Sequence, residues 1–268
     1  MVYDFKKLES VIITGMPRSG KSWFVQAVLT QMCAFVSPSE LHIYICDPKD
    51  GISDFKSFCL PQVKKFVSGD ANIVETLRGI VKEEAVRRKA IIGDAGYVNV
   101  WDFKEDNPDF DLPIIYVVID EVVTLAERMD KETKQEFQGL LVELISQLPA
   151  LGIRAFLIPH VIKNDIIAKT ATDLVPCKIS VCGDAEHIEK ATGSKVKDFP
   201  YKLVNKGDMA VRMPAVSPST MFIHGPALTT SNNDNKRLFD YMKRVWNKIE
   251  RGTEVNIDDL DLDYYVEM

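Results

Sequence analysis

Runs of consecutive apolar residues, each of strand length, recur along the chain and alternate with stretches whose apolar positions fall three to four apart. VIIT (11–14) leads into a helical pattern over 20–34, and LHIYICD (41–47) reads as a second strand. Residues 70–92 place Ile73, Leu77, Ile80 and Val81 at helical spacing, with Asp70 offered as the cap. IIYVVID (114–120) is a third strand, followed by a helix over 131–148 with Phe137, Leu140, Leu141, Leu144 and Leu148 on one side. IRAFLI (153–158) and CKISVC (177–182) give two more strands; DMAVRMP and TMFIHGP give shorter ones, and a last helix covers 235–250. Runs that are continuous, not alternating, belong to strands covered on both faces. With helices between them, they predict an α/β fold with a doubly wound, mainly parallel sheet and helices on both faces.

Composition bounds this picture without changing it. A chain of 268 residues, 46% of them hydrophobic, buries a substantial core. No apolar run approaches the roughly 20 residues of a membrane span, and the start MVYDFKKLES lacks the apolar core of a secretory signal, so a cytoplasmic location is expected. Cys33, Cys46, Cys59, Cys177 and Cys182 form no CxxC pair and read as reduced thiols. The four histidines show no HExxH spacing, so no zinc site is expected.

The net charge of −6 is local. Residues 250–268 hold seven acidic side chains and one basic, which accounts for all of it and leaves the rest of the chain neutral. Residues 1–249 therefore read as the working domain and 250–268 as a flexible acidic tail or docking peptide. A neutral body neither demands nor excludes a nucleic-acid partner.

The segment GMPRSGKS matches GxxxxGK[ST] through Gly15, Gly20, Lys21 and Ser22, with a strand before it and a helix after it. Glycines let successive backbone N–H groups converge on phosphate oxygens, and the helix aims its positive end at the same place. Pro17, Arg18, Ser19 and Trp23 complete the expected nucleotide-binding set. Lys21 is expected to neutralise the β- and γ-phosphates of ATP, and the Ser22 hydroxyl to hold Mg²⁺. Hydrolysis also requires acids, and IIYVVIDE ends in two. Asp120 is assigned to the Mg²⁺ shell and Glu121 to the attacking water, which makes an ATPase the expected class.

Read in order, the segments resemble the motor domain of the FtsK/SpoIIIE DNA translocases, within the FtsK/HerA superfamily that includes conjugative coupling proteins and viral packaging ATPases. The resemblance spans about 9–226. Asp47, Pro48 and Lys49 match a strand ending in Asp-Pro-Lys, Arg87 and Arg88 a helix with paired arginines, VVIDEVVTL the acidic strand, GIRAFLI the next one, and KGDM (206–209) a later turn. The resemblance implies a homo-oligomeric ring, usually a hexamer, with nucleotide at subunit boundaries and double-stranded DNA through the centre.

Two positions depart from the family pattern. His160 stands where a glutamine commonly senses the γ-phosphate, and Lys178 where an arginine reaches into the neighbouring site. A histidine's charge varies near neutral pH, and a lysine lacks the bidentate fork, so an isolated subunit is expected to hydrolyse ATP slowly. For both, a role outside catalysis is the other reading. The loops at 163–170, with Lys163 and Lys169, and 189–199, with Lys190, Lys195 and Lys197, are candidate DNA contacts.

The favoured expectation is a translocation or coupling ATPase of a conjugative or other mobile-element system, with any membrane-associated machinery in separate parts. The chain reads either as a motor excised from a longer protein or as a compact stand-alone one resembling viral packaging ATPases. The competing expectations are an FtsK-like ATPase of a type VII secretion apparatus and a structural subunit that binds nucleotide without turnover.

Overall fold

The run VIITG forms β1 (Val11–Gly15), buried along its whole length, and the chain turns at Gly20 into α1 (Lys21–Phe35). β2 (Leu41–Cys46), β4 (Ile114–Asp120), β5 (Ile153–Ile158) and β6 (Cys177–Val181) are the remaining apolar runs. This computed structural model describes residues 9–49, 53–183, 185–200, 202–225 and 231–253. The acidic tail expected at 250–268 lies outside them beyond residue 253, and Glu250 is the last residue of α9 (Asn232–Glu250).

With β3 (Val63–Val67), β7 (Asp208–Arg212) and β8 (Met221–His224), the eight strands lie in the order β3-β2-β4-β5-β1-β6-β7-β8. The strands from β3 to β6 pair in parallel, and β7 and β8 are antiparallel additions at one edge. Every residue of β4 is buried. Tyr116 and Val118 enter one core with Phe24, Val25 and Leu29 of α1 and Phe239 of α9, while Ile115, Val117 and Ile119 enter a second with Leu140, Leu141 and Leu144. Two-sided burial is why this strand carries no polar alternation.

Several elements differ from the expectation. β3 has the sequence VKKFV and three exposed central residues. An edge strand buries one face at most and tolerates lysines that block further pairing, so it lacks an apolar signature. α4 (Val100–Asp106) starts where the Asn99 side chain accepts from the Trp101 and Asp102 amides. α5 (Val122–Arg128), α7 (Lys169–Leu174) and α8 (Ala185–Thr192) are also short. The helix expected at 70–92 is α2 (Asp70–Arg78) and α3 (Ala85–Asp94) joined by a π-helical turn at Gly79–Glu84. Asp70 does not cap it: Gly69 is the cap, and the Asp70 carboxylate accepts from Arg128 at 2.7 Å. The helix over 131–148 is α6 (Lys131–Ser146), and Leu148 begins a 3-10 turn.

The paired arginines separate as adjacent helical residues must. Arg87 meets Glu84 at the surface, while Arg88 is fully buried and donates to Glu84, to Pro113 O at 2.6 Å and to Leu151 O at 3.0 Å. Arg88 thus ties α3 to the entrances of β4 and β5, a structural role. Replacing Arg88 by methionine leaves two interior carbonyls without their donor and is expected to destabilise the chain by about 3 kcal/mol, read from chemical denaturation. Loss below about 1 kcal/mol would contradict this role.

No helix among the described residues is long and apolar enough to cross a membrane.

Candidate active site

β1, β4 and β5 end side by side, and their carboxyl ends carry the phosphate loop, the two acids and His160. Gly15 has φ +148, and a Cβ there would lie 2.1 Å from Val181 O, so no other residue fits against β6. Gly20, at φ +103, makes the turn into α1. The first bond of that helix runs from Phe24 N–H to Gly20 O, with no side chain capping the end. The amides of Lys21, Ser22 and Trp23 are therefore the free donors of the first turn, on residues that line the cleft.

The cleft encloses about 710 Å³, a size suited to a nucleotide. Its walls include Pro17, Arg18, Gly20, Lys21, Ser22, Trp23, Asp120, Glu121 and His160. Gly15 and Ser19 are not among the cleft-lining residues: Ser19 is buried, and its Oγ has no hydrogen-bond partner among the described residues. Lys178 is elsewhere. It pairs in register with Ile12 and Arg212 in the amino-terminal half of β6, half-buried, and burial lowers its pKa.

Within the cleft, Lys21 Nζ donates to Gly15 O at 2.7 Å and Met16 O at 2.9 Å, and meets His160 Nδ1 at 3.2 Å. His160 Nε2 is 2.6 Å from Glu121 Oε2. An ammonium has no lone pair, so Nδ1 accepts from Lys21 and Nε2 carries the proton directed at Glu121. Lys49 Nζ reaches Asp120 Oδ2 at 2.9 Å and Glu121 Oε1 at 3.1 Å. Glu121 adopts φ +50, a left-handed conformation costing a non-glycine residue about 1 kcal/mol, at the point where α5 begins.

Electrostatics distinguish the two acids. Burial pushes the Asp120 carboxyl up to about 6 against the pull of Lys49. Burial also opposes ionisation of Glu121, yet hydrogen bonds from His160 and Lys49 bring it down to about 2. Glu121 is thus the firm anion and Asp120 the one more easily protonated. Lys21 is lowered by burial, with Glu121 and Asp120 opposing, while the same acids hold Lys49 above an ordinary lysine despite its burial.

The residues fit a magnesium ion. The Ser22 hydroxyl and the Asp120 carboxylate, two hard oxygen donors, line the same cleft. That donor set suits an ion that keeps waters and phosphate oxygens and takes only one or two protein ligands.

A sequence profile of the FtsK/SpoIIIE family matches residues 1–155, more than half of the chain. This chain belongs to the FtsK/SpoIIIE family. Relatives include the DNA translocase FtsK of Campylobacter jejuni subsp. jejuni, 26% identical over 256 residues that cover 90% of this chain and 25% of the relative. The DNA translocase SftA of Bacillus subtilis is 24% identical over 214 residues, 78% of this chain and 22% of SftA. The chain thus spans about a quarter of the length of these FtsK/SpoIIIE proteins. Among solved structures, ATPases 2 and 3 of EssC from Geobacillus thermodenitrificans superpose with a TM-score of 0.75 at 21% identity, over 92% of this chain and 46% of that one. The pCW3 conjugation coupling protein TcpA, in its monomer form with ATPγS, gives 0.72 at 19% identity, over 91% of this chain and 66% of TcpA. The fold is therefore that of the P-loop ATPases.

Within this family member the far wall of the cleft was not evident from sequence. Lys206, Gly207, Met209, His224 and Gly225 face the phosphate loop. Gly207 N–H donates to Ser19 O at 3.3 Å, and His224 Nδ1 lies 2.9 Å from Asp208. KGDM is the visible part of this wall, whereas nothing near His224 points to a cleft some 200 residues away in the chain.

Proposed function

We propose that this chain is an ATP-hydrolysing motor that moves DNA, working in a homo-oligomeric ring within a conjugative or other mobile-element system. The observation that carries the reading is the linked set Lys21–His160–Glu121, which connects the phosphate-binding ammonium to the acid best placed to act on water.

In this reading the triphosphate lies along the amino end of α1, with the backbone donors of that turn and Lys21 on its oxygens. Ser22 and Asp120 hold Mg²⁺, which supplies charge neutralisation on the phosphates. Glu121 orients a water and takes its proton as the water oxygen bonds to the γ-phosphorus and the bond to the ADP oxygen breaks. His160 fixes the Glu121 carboxylate and registers the position of Lys21. Lys178, remote from its own cleft, is assigned to a neighbour's site.

DNA is the substrate favoured by family membership. The two candidate loops are less basic than their sequence implies, however. Lys163 pairs with Glu127, Lys190 with Glu186 and Lys195 with Glu189; residues 189–192 are helical, and Lys169 begins α7. That neutralisation favours protein export as the second reading.

Steady-state ATP turnover with and without double-stranded DNA separates the two. Slow basal hydrolysis, raised about tenfold by DNA and less so as salt increases, is expected. Genuine turnover that DNA leaves unchanged at every salt and protein concentration contradicts the DNA reading.

A further inference from the structure

Asp120 Oδ1 faces the backbone, sharing the Glu121 amide at 3.0 Å with Ile158 O at 3.1 Å. Oδ2 is the oxygen left for a ligand, and Lys49 Nζ holds it at 2.9 Å while touching Glu121 Oε1. Both Glu121 oxygens are engaged, Oε1 by Lys49 and Oε2 by His160 and, at 3.4 Å, by the Thr124 hydroxyl. An acid so held is a poor base.

The Lys49 position is built into the fold. The fully buried Asp47 accepts the Lys49 amide at 2.9 Å and the Ser53 hydroxyl, and Arg128 donates to Pro48 O at 3.4 Å. Cys46 of β2 and Ile119 of β4 are in register, so the turn after β2 lies beside Asp120.

We propose that Lys49 is a built-in counter-ion of the Asp120–Glu121 pair, exchanged for the magnesium of the bound nucleotide, and that its departure releases the Asp120 and Glu121 oxygens it holds. An ammonium and a divalent cation on one carboxylate oxygen repel each other, so the two compete. Lys49 is a positioning residue in this scheme: it acts on the acids and never on the substrate. The proposal rests on the nucleotide site described above.

The test is thermal melting of the native chain, Lys49→Met and Lys49→Arg in ADP, titrated with Mg²⁺ from an EDTA-treated start. The Lys49 side chain is 36% exposed, so its replacement leaves the core intact. Lys49→Met is expected to reach half of its magnesium-dependent shift at about fivefold lower Mg²⁺, and to melt a few degrees below the native chain in EDTA. Lys49→Arg keeps the charge and is expected to follow the native midpoint. An unchanged or higher midpoint for Lys49→Met overturns the exchange while the nucleotide site stands. No magnesium-dependent shift in the native chain overturns both.

Discussion

Replacing Lys21 by alanine is expected to weaken ATP binding at least about a hundredfold and to take hydrolysis below detection. Lys21 is 7% exposed, and its ammonium is held at the carboxyl ends of β1 and β5 by Gly15 O, Met16 O and His160. A buried cation facing a polyanion is worth far more than a surface lysine, because little solvent screens it. The loop itself survives the change. Gly15 N–H still donates to His160 O and Met16 N–H to Cys182 O, so the variant is expected to keep its melting temperature within a few degrees. Loss of binding in a folded protein separates this outcome from misfolding.

Glu121→Gln has the opposite signature. The amide is isosteric and can occupy the same left-handed position, but it cannot accept a proton at neutral pH. Turnover is expected to fall about a thousandfold, within the range for removal of a general base, while nucleotide affinity stays within a few-fold of native. Lost turnover with intact binding means that the acid acts on the chemical step. A Glu121→Gln chain that hydrolyses ATP within about threefold of native assigns the base elsewhere.

How far the sequence announced this site follows from what each residue needs. The phosphate loop was legible because a strand buried on both faces is largely apolar, and its exit requires glycine at Gly15, the last residue of β1, and again at Gly20. Asp120 and Glu121 were legible because adjacent acids ending such a strand demand a reason. His160 appeared as a departure from a family pattern, and β5 brings it to the acids because Ile158 pairs with Asp120. Lys49 was harder to read. Along the chain it is a loop lysine; only the register of β2 against β4 carries its ammonium to both carboxylates.

Other parts lacked any local signal. β3 is an edge strand with Lys64 and Lys65 in its centre, and an edge has no apolar period to display. The antiparallel turn of β7 and β8 depends on which strands they join, and strand order is a property of the whole sheet. His224 reaches the cleft only because β6 lies beside β1 and carries β7 and β8 with it. Arg87 and Arg88 are adjacent in sequence, yet helical geometry sends one to solvent and one into the interior.

In the proposed function a magnesium nucleotide lies between the amino end of α1 and the acids closing β4. Titration calorimetry with ATPγS and Mg²⁺ tests it most directly. A saturable one-to-one heat is expected for the native chain, weakened by chelation of magnesium and abolished by Lys21→Ala. No heat from the native chain, or an equal heat from folded Lys21→Ala, contradicts it.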